Sequence, residues 1–533
     1  MIILIHFNKT AIKPKTRIYC GFIKNRNKSI DKNYPRFYIT VMKKIINFVG
    51  RKNELHKLSE FYNMQGAGFL HLRGRRRIGK SWLLIEYQKK VGGVYFQGEQ
   101  DSSTKELQST MANLWDEYVG KKHLSLIRQR DLTWDRIFSD ITDYAIQHAE
   151  QTIFLIFDEI HWIAKKNSGF TSKIKKAWLS WEKSGNIKVI ICGSSNKFFD
   201  DKTARESSVL RGLRTHSDIW VRPFSLSEVK QYFFPEWSHE EISLVYMMIG
   251  GVPYYLNRIF YTKNFISAIN KSFFTRSTIF LDEIDEIINL EFNKSSKARV
   301  RDLISSLGQN GKTITNICRS TGIPESTVRD NIEKLVDYGL VFEKKSMGKP
   351  LKKNKTGIKY YMRDFYLNFY FQVLDGFRDQ IKENTKCNIF SGILSSKTGF
   401  YIPNFSGLAF ELLLESIIDR RANPTMQESI FSKLEIRDKN YYYGYHWEKN
   451  STQIDLIVES SVDRESRILE AKWISTKAGL TDRYLEQVLH KAYTPPRGYR
   501  LSYHLVISKT PTKGLREAAN KLNIEIIELT DLF

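Results

Sequence analysis

The stretch that most constrains the fold is residues 68–81, Gly-Phe-Leu-His-Leu-Arg-Gly-Arg-Arg-Arg-Ile-Gly-Lys-Ser. From Gly74 to Ser81 it fits G-x-x-x-x-G-K-[ST], the pattern of a phosphate-binding loop. Gly74 and Gly79 permit the tight turn that points backbone N–H groups at phosphate oxygens. Lys80 supplies a cation for the β- and γ-phosphates, and Ser81 supplies a hydroxyl for Mg²⁺. The remaining loop positions predicted to surround the phosphates are Arg75, Arg76, Arg77 and Ile78.

The surroundings of this loop support the phosphate-binding interpretation. A glycine turn that leads into a basic helix would give the same pattern by chance. Here the apolar strand 69–72 precedes the loop, and a helix with mixed apolar and polar faces follows it over 81–90. We therefore predict a nucleotide site with ATP and Mg²⁺ as its ligands.

A second acidic motif begins about 70 residues after the loop, where the apolar run 152–157 ends in Asp158 and Glu159. Asp158 is predicted to hold Mg²⁺, and Glu159 to polarise the attacking water. A buried strand that merely exits into an acidic turn is the alternative. The next apolar run, 188–192, leads to Ser194 and Ser195, one of which is placed to sense the γ-phosphate, although a serine-rich turn has the same sequence.

The overall composition limits the class of protein. At 533 residues the chain is too long for one core, and about 150 residues per domain suggests three or four domains. No apolar run reaches the ~18 residues needed to cross a bilayer, so we expect no membrane association. The four cysteines are scattered, without a C-x-x-C pair. This argues against zinc and disulfides and favours a cytoplasmic location.

The formal net charge of +25 favours a polyanionic partner, and we predict DNA. Residues 1–41 contribute nine Lys or Arg against Asp31 alone, and they lack the features of a signal peptide. We expect this leader to be a disordered basic arm or a mis-assigned start, because the sequence from Met42 looks like a better beginning.

Six short motifs, and the order in which they occur along the chain, resemble those of archaeal-type AAA+ and STAND-like ATPases. They are the segments 48–51, 74–81, 158–159, 193–195, 222–225 and 250–253. The resemblance implies a parallel α/β P-loop core over 42–225 and a helical lid over 226–295, with Gly50 and Arg51 beside the adenine. One departure is that the family's arginine after a Leu-x-Gly segment is displaced here. The sequence therefore leaves open whether Arg211, Arg214 or neither of them acts as an arginine finger.

Residues 296–375 are predicted to form a winged helix-turn-helix. A helix, a glycine-containing turn and a second helix lie between 313 and 335, and a strand follows. The pattern resembles DNA-reading winged helices, with the residues 326–330 at the start of the recognition helix and seven lysines of 341–359 on phosphates. Winged helices also dock proteins, and the acids on this helix keep that alternative open. Residues 376–404 are predicted to be a linker.

The C-terminal part carries a second set of chemically informative residues. Glu411 lies on an amphipathic helix, Asp455 on a strand, and Glu470 and Lys472 on one face of the next strand. Three carboxylates suit hard divalent ions, and an adjacent lysine suits the charge that develops at phosphorus. The set resembles that of PD-(D/E)XK nucleases, and Gln487 on a later helix could add an oxygen or hold substrate. An ordinary salt-bridged strand face is the alternative for Glu470 and Lys472.

The predicted architecture is an α/β P-loop core with a parallel sheet, a helical lid, a winged helix and a restriction-endonuclease-like α/β domain over 405–533. We predict an ATPase that acts on DNA and gates metal-dependent cleavage by the last domain. The alternative is a nucleotide-switched regulator that binds DNA or another partner and whose nuclease-like domain is catalytically silent. A homo-oligomer is compatible with both interpretations.

Overall fold

A computed structural model describes most of the chain from Phe48 onward, and helices and strands are numbered below in chain order within the described ranges. The prediction for the leader 1–41 lies outside them. The described residues are 48–164, 168–194, 217–292, 297–308, 311–344, 346–347, 358–383, 389–394, 401–419, 429–436, 441–446, 453–474, 480–491 and 493–533.

The N-terminal half contains a five-stranded, wholly parallel sheet with the order β2-β3-β4-β1-β5. Its central strands are buried on both faces, as parallel strands covered by helices require. This confirms the α/β fold with a parallel sheet. The strands are β1 (Gly68–Arg73), β2 (Val94–Gln97), β3 (Ile153–Asp158), β4 (Ile187–Gly193) and β5 (Ser217–Trp220).

Helices cover both faces of this sheet. One face packs under three helices whose largest buried side chains are Trp115, Trp178 and Trp181. The helix α3 begins at a capping box, in which the Ser103 hydroxyl accepts from the Glu106 N–H and the Glu106 carboxylate accepts from the Ser103 N–H. The helices are α1 (Lys52–Asn63), α2 (Lys80–Val91), α3 (Thr104–Val119), α4 (Trp134–Gln147), α5 (Ile160–Ile163) and α6 (Phe170–Ser184).

The segment predicted as a lid is helical in its described part. Its central helix, α8, is buried along 242–249. The helices are α7 (Leu226–Tyr232), α8 (His239–Ile249), α9 (Pro253–Leu256), α10 (Phe265–Phe273) and α11 (Glu283–Glu291).

The next segment has three helices and an antiparallel hairpin, which include the helix, turn and helix predicted between 313 and 335. Gly322, with φ 70°, ends the middle helix and makes the turn between α13 and α14. The elements are α12 (Lys297–Leu307), α13 (Ile314–Thr321), α14 (Glu325–Asp337), β6 (Val341–Lys344) and β7 (Lys359–Met362).

Short helices follow this hairpin, including in the described part of the predicted linker 376–404. The linker prediction missed them because Phe390 gives no periodic signal, although it is fully buried and its ring lies 6.1 Å from those of Phe265 and Phe274. The elements are α15 (Phe365–Phe369), a π-helical turn (Tyr370–Leu374), α16 (Arg378–Glu383) and α17 (Ile389–Ile393).

The C-terminal part is a second five-stranded sheet with the order β12-β11-β10-β9-β8. Strands β10, β11 and β12 are parallel, whereas β8, β9 and β10 are antiparallel to their neighbours. The elements are α18 (Ser406–Ile418), α19 (Ser429–Lys433), β8 (Tyr441–His446), β9 (Ile454–Ser460), β10 (Glu465–Lys472), α20 (Asp482–Leu489), β11 (Arg500–Ile507), α21 (Lys513–Lys521) and β12 (Ile524–Glu528).

One hydrophobic core connects these parts. It runs from Leu58 through the buried helix α8, which packs on α15 and α18, to Leu532. Residues 48–533 accordingly form one compact unit. The domain boundaries inside this unit stay predictions. Within the described ranges, no helix has the length and apolar character needed to span a membrane.

Candidate functional site

The predicted phosphate loop connects β1 to α2. Gly79 has φ 90°, and a Cβ on Gly74 would lie 2.5 Å from the carbonyl oxygen of Val221, so both positions require glycine. Lys80 is buried and donates from Nζ to the carbonyl oxygens of Gly74 at 2.8 Å and Arg75 at 3.0 Å. Among the described residues no carboxylate pairs with this ammonium, which leaves its charge for an anion in the loop.

Polar side chains meet the loop at one edge of the sheet. Because β3, β4 and β1 are adjacent and parallel, their carboxyl ends bring Asp158, Ser194 and the phosphate loop to the same edge. Asp158 is fully buried, and the buried hydroxyl of Ser194 has no hydrogen-bond partner in the part of the chain that the structure describes. The two alternative finger residues, Arg211 and Arg214, lie outside the described residues.

A tyrosine that the sequence analysis missed contacts Asp158. The Tyr95 hydroxyl donates to Asp158 Oδ2 at 2.5 Å, and the Glu159 N–H donates to Oδ1 at 2.8 Å. Burial, and then the charge of Asp158, raise the pKa of Tyr95 far above its usual value, whereas a hydrogen bond with Ser81 lowers it. The phenol therefore stays protonated and is a hydrogen-bond donor at neutral pH.

Glu159 occupies a strained backbone position at the start of α5. Its φ is 48°, in the left-handed region that glutamate rarely adopts. Its Oε2 lies 3.4 Å from Nδ1 of His161, a second residue that the sequence analysis did not single out. Strain of this kind is concentrated at functional positions, which agrees with the predicted role of Glu159 beside the metal ligand.

Arg51 connects three segments around the loop. Its guanidinium donates to the carbonyl oxygens of Ile78 at 2.9 Å and Arg222 at 2.6 Å, and it lies 4.1 Å from the ring centroid of Phe224. A Cβ on the preceding Gly50 would lie 2.8 Å from that ring. The predicted adenine box is thus fixed against the end of the phosphate loop, and its contact with adenine stays a prediction.

The loop arginines bind other parts of the protein through their side chains. Arg75 forms an ion pair with the buried Asp364, which follows β7. Arg77 pairs with Glu283 and with Glu286, the latter at 2.7 Å, both on α11. Any phosphate contact of these residues would therefore come from their backbone N–H groups. Arg76 is half-buried in the same loop, and the following Ile78 is buried.

The donor set fits a magnesium–nucleotide complex. Ser81 and Asp158 offer the hard oxygen ligands that Mg²⁺ prefers, and Lys80 offers a cation for the phosphates. The buried hydroxyl of Ser194 lies at the same edge and has no hydrogen-bond partner among the described residues, so it can donate to a phosphate oxygen. These residues would hold Mg²⁺ and the nucleotide phosphates.

Comparison with known proteins identifies the class of this half of the chain. Residues 48–259 match the family model described as an ATPase domain predominantly from Archaea. The chain therefore contains an archaeal-type ATPase domain. Over 471 residues it is 22% identical to the uncharacterized protein MJECL04 of Methanocaldococcus jannaschii, a similarity that covers 87% of this chain and 97% of that protein.

Two solved structures are also similar to the chain. A Walker-type ATPase of Pyrococcus abyssi matches with 18% identity and a TM-score of 0.44, covering 61% of this chain and 96% of that one. The ORC2 protein of Aeropyrum pernix, in ADPNP and ADP complexes, matches with 12% identity and a TM-score of 0.40, covering 66% and 98%.

The predicted acidic residues of the C-terminal sheet lie on neighbouring elements. Asp455 on β9 accepts from the Ala471 N–H at 3.0 Å, and its own N–H lies 3.5 Å from Oε1 of Glu470 on the adjacent strand β10. Burial, and then the charge of Asp455, raise the pKa of Glu470 to about 8. The same two causes, in the same order, raise the pKa of Glu411 on α18 to about 8.

Two lysines that the sequence analysis did not assign to this site enter it. Lys491, just after α20, lies 2.5 Å from Glu470 Oε1 and donates to the Gln453 carbonyl at 2.7 Å. Lys344, the last residue of β6, lies 3.6 Å from Glu415 Oε2. The expectation that this lysine would face DNA phosphates is wrong, because the residue is only 9% exposed and its ammonium lies against Glu415 and the rings of Tyr361 and Tyr445.

The predicted catalytic lysine, Lys472, lies beside an aromatic ring. Lys472 Nζ lies 5.3 Å from the ring centroid of Tyr484, and Gln487 on α20 is exposed. Among the described residues, no three His, Cys, Asp or Glu side chains are grouped closely enough to hold a metal ion. The metal role of Glu411, Asp455 and Glu470 therefore stays a prediction, and in the present arrangement Lys491 pairs with Glu470.

Proposed function

We propose that the protein binds and hydrolyses ATP, acts on DNA, and uses its nucleotide state to control the C-terminal nuclease-like domain. The observation that carries the ATPase part is the meeting of Lys80, Ser81, Asp158 and Ser194 at one edge of the parallel sheet. When bound, Mg²⁺ would supply charge neutralisation for the phosphates. Lys80 binds phosphate oxygens, and Glu159 orients the attacking water.

Retention of radiolabelled ATP with Mg²⁺ tests the site. Lys80→Ala should abolish retention, whereas Glu159→Gln should retain ATP and stop its hydrolysis. Lys89→Ala is a matched control on the same helix, because Lys89 is exposed and pairs with Glu86 on the surface. Normal ATP retention by Lys80→Ala would show that the site is assigned wrongly.

We infer that the helices α12–α14 and the β6–β7 hairpin form a winged helix that contacts DNA. The order of these elements and the charge of +25 support the proposal. Arg329 pairs with Glu325 at 2.5 Å within α14, so base contact would require this exposed pair to open. DNA affinity should fall steeply between low and physiological salt, and a flat salt response would remove DNA from the proposal.

The nuclease-like assignment of the C-terminal sheet has a direct test. Nicking of plasmid DNA with Mn²⁺ and ATP should disappear in Asp455→Ala and in Lys472→Ala. The pairing of Glu470 with Lys491 favours the second candidate, a nucleotide-switched regulator with a silent site. Intact DNA despite tight binding would support that candidate.

A further inference from the structure

The β6–β7 hairpin is attached to the edge of the C-terminal sheet. The Met347 N–H donates to the Tyr445 carbonyl at 2.7 Å, and Nδ1 of His446 lies 3.1 Å from the Met347 carbonyl oxygen. The Met347 side chain lies so close to Gly444 that a Cβ there would be 2.6 Å away. Met347, three residues after β6, thus adds a main-chain hydrogen bond to β8, the mode by which an extended segment docks on a sheet edge.

This attachment places Lys344 in the acidic site. Its Nζ lies 3.6 Å from Glu415 Oε2 and 3.6 Å from the ring centroid of Tyr445. The carboxylates whose charge acts on Lys344 are Glu415, Glu411 and Asp455, two of which are predicted metal ligands. Glu470, at the other end of the site, has a fully buried Oε2 without a hydrogen-bond partner among the described residues.

The other end of the hairpin is bound to the phosphate loop. Asp364, two residues after β7, pairs with Arg75 and accepts from the Leu367 N–H at 2.9 Å, which caps α15. Its neighbour Arg363 pairs with Asp419, the residue that ends α18. The same helix carries Glu411 and Glu415, so two ion pairs, Arg75–Asp364 and Arg363–Asp419, join the loop and the hairpin to the helix of the acidic site.

Asp419 also connects the ATPase domain to the C-terminal sheet. It lies 3.5 Å from Arg222, whose carbonyl oxygen accepts from Arg51, and it accepts from the Tyr443 hydroxyl at 2.7 Å. Three parts of the chain therefore meet at one carboxylate. A shift of the phosphate loop or of Arg222 would reach the acidic site through direct contacts rather than through a flexible linker.

We propose that Lys344 is an internal cation that closes the acidic site to divalent metal ions, and that the Arg75–Asp364 pair makes this closure depend on the phosphate loop. The ammonium contacts Glu415, one turn from Glu411 on α18, and its charge acts on Glu411 and Asp455, which a bound metal would also neutralise, so the two cations compete. The inference rests on the proposed nuclease-like function. It adds that the hairpin must release Lys344 before metal enters.

Mn²⁺ binding to the nucleotide-free full-length protein, measured by calorimetry, tests the closure. Lys344→Met keeps the length and the apolar contacts with the tyrosine rings and removes the charge. We expect it to bind Mn²⁺ about tenfold tighter than wild type. Adding Asp455→Asn should abolish the gain, and Lys344→Arg should behave as wild type.

Equal Mn²⁺ binding by wild type and Lys344→Met, including no binding by either, would overturn the closure. Retention of labelled ATP by both proteins is measured in parallel. Its loss in the wild type would refute the proposed ATPase, whereas the Mn²⁺ comparison would still decide the role of Lys344. Circular dichroism confirms that each variant is folded.

Hydrogen–deuterium exchange tests the link to the phosphate loop. Arg75→Met should speed exchange of the amides of 341–347 and 441–446. Glu286→Gln is the matched control, because it breaks another ion pair of the same loop without touching the hairpin. Unchanged exchange in Arg75→Met, or an equal increase in Glu286→Gln, would overturn the link.

Discussion

The buried Glu470 should make the stability of the protein depend on pH, and Glu470→Gln should remove this dependence. Burial is the largest cause that raises its pKa from 4.5 to about 8, and the charge of Asp455 adds to it, whereas Lys491 opposes both. The folded state therefore binds a proton that the unfolded state releases above pH 4.5. The resulting stabilisation is present at low pH and is lost as the pH rises toward 8.

The size of this change in stability follows from the shift in the pKa of Glu470. Each pKa unit corresponds to about 1.4 kcal/mol, so the free energy of unfolding of the wild type should fall by about 3 kcal/mol between about pH 5 and 8 because of this one group. Glutamine is a neutral isostere of the protonated side chain and does not titrate. The unfolding free energies of wild type and Glu470→Gln should therefore separate with rising pH, in favour of the variant.

Urea unfolding followed by circular dichroism from pH 5 to 9 measures this separation. Subtracting the two curves cancels the groups that titrate equally in both proteins. Glu333→Gln is the control, because Glu333 is exposed on α14 and should follow the wild type at every pH. Parallel curves for wild type and Glu470→Gln would refute the reasoning that burial keeps this carboxyl protonated.

Two further substitutions test the surroundings of the phosphate loop. Arg51→Met leaves the carbonyl oxygens of Ile78, which is buried, and Arg222, which is partly buried, without this donor, so urea unfolding should show a loss of about 3 kcal/mol and ATP affinity should fall. An unchanged unfolding curve would contradict this. Tyr95→Phe removes the hydrogen bond to Asp158 and should lower the free energy of unfolding by about 2 kcal/mol, and a midpoint equal to wild type would show that the bond contributes nothing.

The local patterns predicted much of the first half of the chain. The phosphate loop, the apolar strand before Asp158 and the strand before Ser194 have short-range signals, because each depends on burial or on a glycine conformation within a few residues. The role of Tyr95 had no such signal. It is 63 residues from Asp158, and only the pairing of β2 with β3 brings the two together.

The side chains of charged residues were the hardest to predict. The lysine Lys344 lies in a basic run whose composition indicates a solvated wing, yet β6 turns it toward buried carboxylates. Similarly, Arg75 matches a phosphate-loop position but its side chain pairs with Asp364, 289 residues away. Charge partners of this kind depend on how distant segments pack, and no periodicity in the sequence records that packing.

The charge balance of the acidic site explains why its state can be switched. Several carboxylates that share a buried site cannot all ionise without nearby cations, because burial penalises each charge and like charges repel. Here Lys491 and Lys344 supply cations, and burial raises the pKa of Glu411, which favours its protonated, neutral form. A divalent ion could neutralise the same carboxylates, but only if a lysine ammonium moves out of the site. Since Lys344 is on a hairpin bound to the phosphate loop while Lys491 is on the sheet domain itself, Lys344 is the cation that a nucleotide-driven movement can withdraw.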